Sequence, residues 1–104
     1  MIASLGLSPS HAALLEQLLA EHLPGVTVWA YGSRVKGSAQ PNSDLDLVAF
    51  APPGLKRRVS ELREALEESN LPCIVDLHVW DELPASFQDN IHAGHLVVRD
   101  ASPN

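Results

Sequence analysis

Two aspartates one residue apart, Asp44 and Asp46, head an apolar run shortly after a glycine-serine turn, Gly32-Ser33. In a strand, residues i and i+2 point to the same face, so these two carboxylates stand side by side. Like charges held that close repel unless a cation sits between them. Backbone N–H groups at a Gly-Ser turn opening a helix form a natural cradle for phosphate, and Arg34 and Lys36 follow at once. Together these features describe a site for a metal-bound nucleoside triphosphate. A third carboxylate, Asp76, interrupts the apolar stretch Cys73 to Val79. It is either a solvent-facing acid on an edge strand or, if its strand pairs beside that of Asp44, the third member of an acidic group. Three such acids suit two hard divalent cations. Taken singly, the Gly-Ser pair and the alternating acids have ordinary structural explanations in turns and strand edges. Their conjunction is what counts, because acids in an otherwise apolar strand are costly without a partner.

The elements that must position these residues are legible in the surrounding pattern. Ser8-Pro9 caps and opens a helix whose leucines, from Leu14 to Leu23, recur at helical spacing until Pro24-Gly25 stops it. Val26 to Tyr31 reads as a strand, Arg34 to Ala39 as a short helix, and Pro41-Asn42-Ser43 as a turn. Asp44 to Phe50 is the next strand, with Asp44, Asp46, Val48 and Phe50 on one face and Leu45, Leu47 and Ala49 on the other. Leu55 to Ser69 is an amphipathic helix, and Cys73 to Trp80 a third strand with Asp76, His78 and Trp80 on one face. Leu83-Pro84 starts a last helix to about His92, with Phe87 and Ile91 as its apolar positions. His95 to Val98 is a short final strand, and Asp100 to Asn104 a frayed tail. The order predicts an α/β (α+β) fold in which a small mixed sheet is flanked by helices.

Composition bounds the function classes. The 104 residues make one small domain, 1–104, and a 45% apolar content suits a globular core. A net charge of -6 argues against general nucleic-acid binding. The Lys56-Arg57-Arg58 cluster reads as a solvated face or a local contact point. No apolar stretch nears the roughly 20 residues that span a bilayer. The N-terminus lacks a secretory layout, so a cytoplasmic protein is expected, with no membrane partner. The lone Cys73 excludes an internal disulfide and a multi-cysteine zinc site, and reads as a small core residue. Trp29, Tyr31 and Trp80 read as core or interface residues. His78 shares a strand face with Asp76, which puts it either near the site or in a structural role.

The run G-S-x-x-x-G, a short gap, S-D-x-D-L, and a later strand aspartate resembles the polymerase-β-like nucleotidyltransferase superfamily. In size and tail pattern the chain looks most like its minimal nucleotidyltransferase (MNT) members, which act as antitoxins beside HEPN-domain toxins. The resemblance implies a polymerase-β-like nucleotidyltransferase fold and transfer of AMP from ATP to a hydroxyl, a tyrosine, of a cognate HEPN ribonuclease toxin. It implies that Gly32 and Ser33 hold the triphosphate. Asp44, Asp46 and Asp76 are then the catalytic residues and the ligands of two Mg²⁺ ions, with Mn²⁺ an alternative. Arg34 and Lys36 either add charge near the nucleotide or lie on a solvated helix face. Two other readings stand beside this one: an antitoxin that neutralises by binding alone, and a nucleotidyltransferase for a small molecule or RNA.

Overall fold

The computed structural model describes residues 5–36 and 44–100. Gly37, the Pro41-Asn42-Ser43 turn and the tail beyond Asp100 lie outside the described residues.

Helix α1 spans Pro9–His22, with Ser8 as its N-cap: the Ser8 side chain accepts a hydrogen bond from the His11 backbone N–H. The chain then runs through β1 (Val28–Tyr31), the single turn α2 (Ser33–Lys36) and β2 (Leu45–Ala49). A 3-10 turn at Pro53–Leu55 leads into α3 (Lys56–Glu67), followed by β3 (Val75–Val79). A second 3-10 turn, Trp80–Glu82, precedes α4 (Ala85–Ala93) and β4 (Leu96–Arg99). The expected elements are all present, with ends that differ by a few residues. The last helix begins after Pro84, whose extended backbone caps it.

The four strands form one mixed sheet in the order β3-β2-β1-β4. Strand β1 is antiparallel to β2 and β4, whereas β2 and β3 are parallel and joined through α3. The alternation read in the second strand sorts the two faces. Leu45, Leu47 and Ala49 join Val28, Ala30, Leu77 and Val79 in the main core, against Leu15 and Leu19 of α1 and Val59, Leu62 and Leu66 of α3. The opposite face is covered in part by α4, where Ile91 packs with Tyr31 and Val48. At one end of that face Trp29 stacks on His95 (ring centroids 3.7 Å apart) and meets Phe50 and Trp80 edge-on. Trp29, Tyr31 and Trp80 therefore belong to a second, aromatic core, as expected. The aromatic end is closed by packing. The other end of the same face carries the acids. No helix among the described residues is long and apolar enough to cross a membrane.

Candidate active site

Strand register assembles the site. Tyr31 of β1 is paired with Asp46 of β2, and Asp46 with Asp76 of β3, so the three side chains stand in a row across one face. The pairing on which convergence of the acids depended is thus present. Asp44 lies immediately before β2 and is exposed, and Asp76 is exposed on the outermost strand. Burial, the neighbouring Asp76 and then Asp44 all push the Asp46 carboxyl above its ordinary pKa, while His78 pulls it down. Burial, with Asp46 and Asp76 adding to it, pushes the Tyr31 hydroxyl up to about 12. Tyr31 therefore enters the site at neutral pH as a neutral polar group, not as a further anion.

The turn after β1 is built against the same carboxylate. Gly32 has φ +86, a conformation that side chains disfavour, and a Cβ there would lie 2.6 Å from Asp46 Oδ2. Only glycine lets the backbone come this close to the acid. The Gly32 carbonyl accepts from the N–H groups of Val35 and Lys36, which starts α2. The first N–H groups of a helix have no partner within it, and the turn that carries them lies beside Asp46. Lys36 is exposed and lines the same cleft as Tyr31, Gly32 and Asp46, a space of about 630 Å³ closed on its far side by α4.

Arg34 does not lie on a solvated helix face. It is buried (6% exposed), and its Nη1 donates to the Leu5 carbonyl at 2.9 Å. Gly6, at φ +79, makes room: a Cβ there would lie 3.2 Å from Nη1. The guanidinium also lowers the pKa of the Cys73 thiol, against the stronger effect of burial, which raises it. Arg34 thus ties the turn to the N-terminal segment and to the entry of β3. Replacing Arg34 by methionine is expected to cost about 2 kcal/mol of stability through the lost charged hydrogen bond. A melting temperature lower by on the order of 10 °C in a thermal melt would register that loss.

The donor set suits a hard divalent cation, because it is made of carboxylates alone, and the absent Cβ at Gly32 is what lets the Asp46 carboxylate lie against the turn. Among the described residues, however, no three His, Cys, Asp or Glu side chains already surround a common point. That suits an ion that takes one or two carboxylates and fills its shell with phosphate and water oxygens, as Mg²⁺ does. Lys56, Arg57 and Arg58 are exposed, on the solvated face expected of them. The cleft residues that sequence reasoning did not single out are Tyr31, Phe87 and Asn90. Phe87 was expected as an apolar packing position of the last helix, yet it is 40% exposed, while Ile91 one turn later is buried. Helical spacing cannot separate the two, because both lie on the side of α4 that meets the sheet.

Residues 12–98 match the model of the nucleotidyltransferase domain family. A curated Haemophilus influenzae protein, "Probable protein adenylyltransferase MntA", is 36% identical over 99 residues, covering 94% of this chain and 87% of that one. A crystal structure of a toxin-antitoxin with AMP-PNP superposes with a TM-score of 0.61 at 17% identity, over 86% of this chain and 73% of that chain. A tri-AMPylated Shewanella oneidensis HEPN toxin in complex with MNT antitoxin gives 0.52 at 14% identity, over 88% and 71%. At such identities the structural likeness speaks to the fold.

Proposed function

Because the chain belongs to the nucleotidyltransferase domain family, we propose that it is a metal-dependent protein adenylyltransferase. In this reading it moves AMP from ATP onto a hydroxyl, a tyrosine, of a cognate HEPN ribonuclease toxin and so neutralises it. The observation that carries the reading is the contact between the Gly32 turn and Asp46, with Asp76 on the next strand. A glycine turn suited to phosphate adjoins neighbouring carboxylates, as nucleotidyl transfer from a metal-bound triphosphate would use. The kinship with a probable protein adenylyltransferase supports a protein acceptor. The parallel with MNT–HEPN complexes supports the partner. A need for ATP assigns the reaction to the cytoplasm.

Each residue has a distinct task. The N–H groups of Gly32 and Ser33 bind the triphosphate oxygens, and Lys36 adds positive charge along them. Asp44 and Asp46 would hold a nucleotide-bound Mg²⁺, or Mn²⁺, and Asp76 would complete the set of metal ligands. Bound there, the ions neutralise the triphosphate and lower the pKa of the attacking hydroxyl. The acceptor oxygen forms a bond to the α-phosphorus while the bond from that phosphorus to the β-bridging oxygen breaks, releasing pyrophosphate. Asp76, exposed at the sheet edge, takes the acceptor's proton or passes it to water. Arg34 braces the turn through its bond to the Leu5 carbonyl, and any charge it adds near the nucleotide acts from there.

The test is to incubate the protein with Mg²⁺, α-³²P-ATP and the HEPN protein encoded beside it. Label on the HEPN protein, and loss of its ribonuclease activity in step with labelling, is the expected result. A stable complex of the two proteins that inhibits without label would replace this reading with neutralisation by binding alone.

A further inference from the structure

The cleft that holds Asp46 is longer than the phosphate end requires. Gly32, Lys36 and Asp46 form one end, and α4 supplies the other with Phe87, Asn90 and Gly94. At about 630 Å³ it falls within the usual range of small-molecule sites. Phe87, Asn90 and Ile91 stand at i, i+3 and i+4, so they share the side of α4 that meets the sheet. Ile91 does the packing there, at 2% exposure, whereas Phe87 remains 40% exposed and stands at 88° to the Tyr31 ring with centroids 5.8 Å apart. The ring thus remains partly exposed at the cleft, edge-on to Tyr31.

We propose that the nucleotide's base docks against Phe87 and is read by Asn90, which makes the site selective for adenine. This assignment rests on the adenylyltransferase reading above and goes beyond it in naming what chooses the nucleotide. With the phosphates held at the Gly32 turn, ribose and base extend along the cleft toward α4. A planar base stacks on an exposed aromatic ring, and a purine offers more surface than a pyrimidine. The carboxamide of Asn90 presents a donor and an acceptor side by side, which complements the N6–H donor and N7 acceptor of adenine. The corresponding edge of guanine shows two acceptors and leaves the asparagine oxygen without a partner.

Calorimetric titration of the protein with Mg-ATP, Mg-GTP and Mg-tripolyphosphate separates the base from the phosphates. Phe87→Ala is expected to weaken ATP roughly 10-fold or more while leaving tripolyphosphate unchanged, and Phe87→Tyr to retain ATP affinity. Asn90→Ala is expected to narrow the preference for ATP over GTP. A ratio of ATP to tripolyphosphate affinity that neither variant alters would overturn the base assignment alone. So would Phe87→Ala that spares ATP but raises the KM for the acceptor protein, since the ring would then serve the acceptor. Wild-type protein that binds neither ligand would overturn the adenylyltransferase reading, and this inference with it.

Discussion

Replacing Asp44 and Asp46 together by asparagine is expected to abolish AMP transfer while making the protein harder to melt. Metal ions contribute several kcal/mol of transition-state stabilisation, so losing their ligands should slow labelling of the acceptor on the order of 10³-fold or more. The opposite sign for stability follows from the state of Asp46. Burial and the nearby carboxylates raise its pKa, so the folded protein holds that proton more tightly than the unfolded chain does. Its contribution to stability is complete below an aspartate's ordinary pKa and is lost as pH rises through the raised folded value. Wherever Asp46 is charged, that charge is a burden on the fold, which asparagine removes. Thermal melts across pH would show the wild type losing stability over that acidic window and the variant losing less. Label that persists within about tenfold of wild type would show that these acids do not hold the reacting metal.

A second large effect is expected from the smallest possible change, Gly32→Ala. The new methyl would meet Asp46 Oδ2 at 2.6 Å, in a backbone conformation at φ +86. The left-handed conformation alone costs an L residue roughly 1–2 kcal/mol. The clash itself resolves cheaply, because the atom in the way ends a side chain that can rotate. That rotation, however, would carry the carboxylate away from the turn, where in the proposed site it faces the phosphates. Misplacement of about 1 Å in a positioned group can cost on the order of 10²-fold in rate. Gly32→Ala should therefore stay folded, melt a few degrees lower, and lose far more activity than stability. Activity that falls only in proportion to folded protein would remove Gly32 from the site and leave it a turn residue.

Much of this arrangement could be read before any coordinates. Ser8-Pro9 marked the first helix because capping and a fixed φ are local effects. Alternation in the second strand separated Leu45 and Leu47 from Asp46 and Val48 because the period of a strand is local too. What the chain could not declare locally was which strands are neighbours. Nothing local to Asp76 shows that it pairs with Asp46 across the parallel strands while remaining exposed at the sheet edge. The burial of Arg34 escapes a local reading for a different reason. Charged side chains are seldom buried, and the group that accepts its hydrogen bond, the Leu5 carbonyl, lies far away in sequence. Phe87 was misjudged because an apolar residue on the inward side of a helix is expected to pack, and a cleft beneath that helix leaves no local trace.

The register of β2 against β3 carries a consequence for how the chain folds. A slip by one residue would turn every side chain of a strand to the opposite face. Leucines would then line the open cleft, and Asp46 or Asp76 would be driven among the leucines and valines beneath α1 and α3. An unpaired carboxylate in such surroundings is too costly to keep. The same charges that weaken the finished fold thus act as proofreaders of its assembly, rejecting misaligned sheets that hydrophobic burial alone would tolerate.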